Sequence, residues 1–251
     1  MLVHPTLHKL RTLRLSGMAK ALEEQQQMPD IDALGFEERL GLLLDRELTV
    51  RDSRQLTNRL RRARLHQPAV LEDLDYTAAR GLDKGLIERL NDGRWLAEHL
   101  NLLITGPTGI GKSWLACAFA HHACRLGHTA RYVRLPRLLQ ELVLAKGDGR
   151  YAKLLAELAK TDLLVLDDWA LQPLETEQCR DLLEILDDRH NRRSTLVTSQ
   201  WPLAQWHEAL GQPTLADAIL DRLVHNAYKL TLSGESMRKR RSPLSEATTD
   251  A

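Results

Sequence analysis

Cysteine is scarce in this chain of 251 residues: Cys117, Cys124 and Cys179 are all there is, an odd number with no C-x-x-C pair. A zinc site is therefore not indicated. Cys117 and Cys124 fall seven residues apart on one face of a helical pattern and read as small buried side chains. No apolar run is long enough to cross a membrane, and the start of the chain has no apolar core of the signal-peptide kind. The expectation is a soluble, cytoplasmic protein. Net charge is nearly absent as well, at +1 from 35 Lys and Arg against 34 Asp and Glu. That average hides two basic patches. Arg51, Arg54, Arg59, Arg61, Arg62 and Arg64 crowd one stretch in which Asp52 is the sole acid, and Arg238, Lys239, Arg240 and Arg241 crowd another. What is plentiful is hydrophobic residues, 43% of the chain, enough for one sizeable α/β domain plus an appendage.

One turn carries the strongest chemical signal. Gly106, Pro107, Thr108, Gly109, Ile110, Gly111, Lys112 and Ser113 match G-x-x-x-x-G-K-[ST], the phosphate-binding loop. Glycines let successive backbone N–H groups point into one concave anion nest, and a helix starting at its end adds a positive terminus. Lys112 offers a point charge to the β- and γ-phosphates, and Ser113 offers a hydroxyl to Mg²⁺. The apolar segment 101–105 enters the turn as a strand. Trp114 opens a run with helical spacing that Gly127 closes. A chance match in a chain of this length has a probability on the order of 1%, and the strand–turn–helix context makes it rarer. The expected ligand is a nucleotide, with Mg²⁺.

Periodicity divides the chain. Residues 1–67 read as helical, with Leu7, Leu10, Leu13 and Leu15 opening an amphipathic segment and a long helical pattern over 36–63; Pro68 ends this region. Residues 68–98 read as connecting short helices. From 99 to 241 strands (101–105, 129–135, 163–167, 195–199, 228–232) alternate with helices (112–126, 136–145, 151–160, 175–191, 214–224), the pattern of a parallel sheet with helices on both faces. Residues 242–251 read as a disordered tail.

Hydrolysis needs more than a phosphate nest. In "LLVLDDW", 163–169, four apolar residues make a buried strand, and Asp167 follows at the end where ligands sit in open α/β sheets. Asp167 is placed to hold Mg²⁺ and Asp168 to polarise the attacking water. In "LVTSQ", Thr198, Ser199 and Gln200 end another strand. Any of the three is a candidate for touching the γ-phosphate or the water, and spacing does not choose among them. Arg222 and Arg238 are candidates for stabilising charge on the transferring phosphoryl group.

Taken in order, "GPTGIGKS", "LLVLDDW", "LVTSQW", "AILDRLVH" and "GESMRK" resemble the IstB family of AAA+ ATPases that assist insertion-sequence transposases, relatives of DnaC-type helicase loaders and DnaA-type initiators. The resemblance covers nearly the whole chain. It implies an α/β P-loop NTPase core of AAA+ type with a five-stranded parallel sheet of order 5-1-4-3-2, preceded by an all-α N-terminal domain that contacts DNA, a neighbouring subunit or the transposase. It also implies that Asp167 is the Walker B metal-site acid. Asp168 stands where many AAA+ proteins carry Glu, one methylene longer. Arg222 matches the arginine finger that reaches a neighbour's ATP. Arg238 matches the sensor arginine of a helical lid, abbreviated here because little chain follows Leu232. Residues 136–160 correspond to a helical insertion that promotes open spiral assemblies.

In the stretch that holds the arginines at 51, 54, 59, 61, 62 and 64, Arg54, Arg61 and, roughly, Arg51 and Arg62 share broad helical faces. That arrangement neutralises phosphates without reading bases, and no zinc-finger or RNP motif accompanies it. Trp95, Trp201 and Trp206 lie elsewhere, so no aromatic interleaving supports single-strand stacking. A competing reading is a solvated helix face paired with Glu37, Glu38, Asp45 and Glu47. The function expected is a DNA-stimulated, Mg²⁺-dependent ATPase that forms an ATP-dependent homo-oligomer, spiral or ring, on duplex DNA and recruits or activates a transposase. The alternatives are a DnaC-type helicase loader, a small-molecule P-loop kinase, and an ATP-gated scaffold.

Overall fold

Parallel strands buried on both faces are expected to read as unbroken apolar runs, and two of the five strands here do. Strand β1 is Asn101–Thr105 and β3 is Leu163–Trp169; β2 is Ala130–Arg134, β4 Ser194–Ser199 and β5 Ala227–Thr231. In the computed structural model, which describes residues 5–237, every strand pair is parallel. The order is β2-β3-β4-β1-β5, which read from the other edge is the expected 5-1-4-3-2. The helices are α1 (Pro5–Thr12), α2 (Ser16–Gln25), α3 (Phe36–Ala63), α4 (Lys84–Asn91), α5 (Arg94–Ala97), α6 (Lys112–Arg125), α7 (Leu135–Asp148), α8 (Tyr151–Lys160), α9 (Thr176–Arg189), α10 (Trp206–Leu210) and α11 (Pro213–Val224).

Two compact units divide the chain, Met1–Asn58 and Arg59–Ala251. In the first, Glu47 is buried and accepts the N–H groups of Gly17 (2.7 Å) and Met18 (3.2 Å) at the start of α2, and Arg51 Nε donates to the same carboxylate at 2.7 Å. Burial opposes its charge, but Arg51 and the two N–H groups outweigh it and hold the carboxyl below its ordinary pKa. Helix α3 has acids in its first turn, Glu37 and Glu38, and Arg61 and Arg62 in its last, matching the helix dipole. It ends where Arg64 turns left-handed, at φ 51°.

In the second unit the core lies against the sheet, where Leu103, Leu164, Leu166 and Val197 meet Leu138, Leu142, Leu158, Leu182 and Ile219 from the flanking helices. Arg189 of α9 is 1% exposed. Its guanidinium donates to the carbonyls of Thr161 (2.7 Å) and Ser194, tying the end of α8 to the start of β4. Burial pushes its pKa down to about 9. One strand departs from the sequence reading by more than one residue at an end. β3 runs to Trp169 instead of ending at Asp167, with a register shift against β4 between Leu166 and Trp169 and Asp168 at φ 60°. The cause is Trp169, which is fully buried and packs on Trp206 with ring centroids 5.3 Å apart. Drawing that indole inward carries the chain past Asp167 through a bulge. Helix α10, five residues long, is too short to show a period. No helix among the described residues is long and apolar enough to cross a membrane.

Candidate nucleotide-binding site

The C-terminal ends of β1, β3 and β4, the three central strands, lie side by side. β1 feeds the glycine-rich turn. Gly106 sits at φ 147°, and a Cβ there would lie 2.4 Å from the carbonyl oxygen of Leu232; only glycine allows that approach. Gly111, at φ 104°, is the N-cap of α6, so the helix terminus opens directly onto the turn. Lys112 is 8% exposed, and its ammonium donates to the carbonyls of Gly106 (2.7 Å) and Pro107 (2.9 Å). Thr108 Oγ1 donates to Gln200 Oε1 at 2.7 Å, which joins the turn to the end of β4. Gly109, Gly111, Lys112, Ser113 and half-buried Trp114 line a cavity of ≈340 Å³, together with Gln67, Asp73, Asp75, Arg80 and Met237.

Asp167, 3% exposed, is the centre of a hydroxyl cluster. Its Oδ1 accepts from Ser113 Oγ at 3.0 Å and from Thr198 Oγ1, and its Oδ2 accepts from Tyr132 OH. Oxygen donors of this kind, one a carboxylate and one the hydroxyl that follows the loop lysine, suit a small hard cation. Ser113 and Asp167 therefore fit Mg²⁺. The three candidates at the end of β4 separate by contact: Thr198 touches Asp167 and accepts the N–H of Asp168 at 3.4 Å, Ser199 donates to the carbonyl of Trp169 at 3.1 Å, and Gln200, just past the strand, meets Thr108.

Asp168 is engaged elsewhere. Arg134, at the end of β2, donates Nε to Asp168 Oδ2 at 2.5 Å. Arg222 is farther off. Its backbone carbonyl and that of Leu223 accept from the side chain of Asn101 at 3.1 and 3.2 Å. Asn101 begins β1 and the glycine-rich turn follows its end, a strand length of about 13 Å away at ~3.3 Å per residue. The Arg222 guanidinium donates to Asp187 and to the carbonyl of Ala218 (2.8 Å). Arg238 lies outside the described residues.

Of the basic stretch, Arg51 pairs with Glu47, and Arg59 Nη1 donates to the carbonyl of Cys124 at 2.9 Å. Arg54, Arg61, Arg62 and Arg64 are exposed. All three cysteines are buried, and the described residues contain no cluster of three or more His, Cys, Asp or Glu able to hold a metal.

Several residues of this site escape sequence reasoning. Arg80, 5% exposed, reaches the carbonyls of Asp75 (2.8 Å) and Ile110 (3.4 Å). Met237 N donates to Gly109 O at 2.9 Å. Tyr132 and Arg134 meet the two acids of β3 from the neighbouring strand. Arg80, Tyr132 and Arg134 belong to no motif, Met237 falls within "GESMRK" beside the arginine that drew attention there, and the segment around Arg80 has no periodicity to mark it.

This sheet order, loop and acid define a P-loop ATP-binding protein of AAA+ type. The family of IstB-like ATP binding proteins matches residues 8–245, and the chain belongs to it. An insertion sequence ATP-binding protein of Sinorhizobium fredii, y4pL, is 55% identical over 239 residues, 95% of this chain and 98% of that one. The ATP-binding protein of insertion sequence IS1162 from Pseudomonas fluorescens is 52% identical over 203 residues, 80% and 88% of the two chains. Among solved structures, DnaI superposes with a TM-score of 0.57 at 24% identity, over 67% of this chain and 95% of that one. The DnaC helicase loader superposes with a TM-score of 0.51 at 20% identity, over 69% and 98%. At those identities the likeness is one of fold.

Proposed function

We propose that this protein is a cytoplasmic, DNA-stimulated ATPase that assembles on duplex DNA and recruits or activates the transposase of an insertion sequence. The observation that carries the ATPase reading is the joining of Ser113, Asp167 and Thr198 beside Lys112. The link to transposition rests on relatives such as y4pL and the IS1162 protein, each an insertion-sequence ATP-binding protein.

In this reading the N–H groups of 106–113 and Lys112 hold the β- and γ-phosphates, with Trp114 and Arg238 completing the contacts. Ser113 and Asp167 hold Mg²⁺, which when bound spreads the charge of the transferring phosphoryl group. Asp168, released from Arg134, orients the attacking water, and Thr198 keeps the two acids in register. Arg222 comes from the neighbouring subunit, so ATP bridges protomers of a spiral or ring. Residues 1–67 form the region for DNA and partner contact, with Arg54, Arg61, Arg62 and Arg64 as exposed phosphate contacts and Arg51 and Arg59 as supports; 68–98 connect to the ATPase region, 99–241.

The test is phosphate release by the full chain with and without duplex DNA, followed by co-purification with an insertion-sequence transposase. Turnover that rises with duplex, together with ATP-dependent capture of the transposase, is expected. Transfer of the γ-phosphate to a small acceptor, with no response to DNA, would contradict it.

A further inference from the structure

Three hydroxyls converge on Asp167, and one of them comes from outside every motif. Tyr132 stands on β2, is 7% exposed, and donates to Asp167 Oδ2, leaving Oδ1 to Ser113 and Thr198. Burial first, and the carboxylate second, push the phenol's pKa strongly upward, so its OH stays a donor. The ring of Tyr132 is stacked with His66, centroids 6.0 Å apart and planes 12° apart, within the range of offset aromatic pairs.

His66 is exposed and lies two residues beyond the left-handed turn at Arg64 that ends the arginine-rich helix. The same exit is fixed to α6. Arg59 donates to the carbonyl of Cys124 at 2.9 Å; burial raises the pKa of the Cys117 thiol in α6, and the nearby backbone of His66 and Gln67 opposes that shift. Gln67 itself lines the nucleotide cavity. The segment leaving the basic helix thus crosses α6 and β2, and its imidazole rests on the residue that orients the metal-site acid.

We propose that Tyr132 is a positioning residue for Asp167, and that His66, stacked on it, couples polyanion contact at the end of α3 to cation binding at Asp167. The inference rests on the proposed function for the identity of the polyanion, duplex DNA. Tyr132 fixes the rotation of the carboxylate, so that Oδ1 faces Ser113. Phosphates that draw the Arg61–Arg64 turn outward move His66, and with it the ring that holds Oδ2. Such coupling is reciprocal: whatever DNA does to Mg²⁺ affinity, Mg²⁺ does to DNA affinity.

The experiment follows binding of a fluorescent ATP analogue to the full chain across a Mg²⁺ titration, with and without duplex DNA. In the wild type, duplex should lower the Mg²⁺ half-point by about fivefold or more. Tyr132→Phe keeps ring and stack; it should raise the half-point severalfold and leave binding in EDTA unchanged. His66→Ala should keep the DNA-free half-point and lose the duplex shift, and His66→Phe, which restores a stacking ring, should regain it. A wild-type half-point in Tyr132→Phe, or a full duplex shift in His66→Ala, would overturn the proposal. So would a wild type that binds duplex in a gel shift without any change in Mg²⁺ half-point. Failure to bind duplex at all would contradict the proposed function instead, and Tyr132→Phe alone would then decide the positioning role.

Discussion

Asp167 and Asp168 are adjacent in sequence and stand in opposite surroundings. Asp167 is buried among three hydroxyls from three separate elements. Asp168, forced to φ 60° by the bulge before Trp169, pairs with a cation on the edge strand. The same contrast separates Lys112 from Arg222. Lys112 lies within the turn at the end of β1, while Arg222 sits beyond the other end of that strand, in an ion pair with Asp187. The groups assigned to binding ATP are assembled inside one chain. The groups assigned to breaking its γ-bond are held by Arg134 and Asp187. On the proposed function, that division lets one chain bind ATP and leaves its hydrolysis to the assembly.

The contrast breaks most sharply at Arg222. Arg222→Ala should lower duplex-stimulated turnover about 10³-fold, while equilibrium dialysis shows unchanged ATP affinity; a parallel loss of affinity would place Arg222 in its own chain's pocket. Asp168→Asn comes next, with turnover down about 10²-fold, nucleotide affinity kept and longer residence on DNA in a dissociation assay. If turnover is unaffected, water activation belongs to another group. Lys112→Ala removes charge-assisted hydrogen bonds to phosphate and should weaken nucleotide binding about 10- to 100-fold by titration. Joint replacement of Arg54, Arg61 and Arg62 by Ala should flatten the salt dependence of duplex binding by about 0.9 in slope for each phosphate that is no longer neutralised. An unchanged slope would return these arginines to a solvated helix face, as Arg51 already is through Glu47. The smallest change is expected from Asp187→Asn, which frees Arg222 from a partly exposed ion pair. Such pairs are worth about 0.2–1 kcal/mol, so phosphate-release assays should show turnover raised by less than about fivefold.

The sequence made legible whatever is local or periodic. Lys112 and Ser113 follow a spacing, Asp167 closes an apolar run, and α3 and α8 have the bounds that their periods suggest. The parallel sheet followed from alternation, and its order from the resemblance. What stayed hidden is what the fold brings from elsewhere. Tyr132 reaches Asp167 across 35 positions and Arg134 reaches Asp168 across 34; the stretch "RYVR" on an edge strand advertises neither contact. Arg80 lies in an aperiodic connection whose path is set by backbone pairing, such as Ser233 N to Arg80 O at 3.0 Å. The bulge at Asp168 depends on where Trp169 finds room beside Trp206, a packing result that no local pattern encodes.

The central claim, that Arg222 completes a site on another chain, is tested most directly by mixing. Lys112→Ala protein keeps Arg222 and cannot hold ATP well; Arg222→Ala protein holds ATP and lacks the finger. Each should be nearly inactive alone on duplex DNA. Mixed in equal amounts, they should regain part of the wild-type turnover, because an intact Lys112 site then meets an intact Arg222 from its neighbour. A mixture that co-assembles on the duplex and remains inactive would contradict the account.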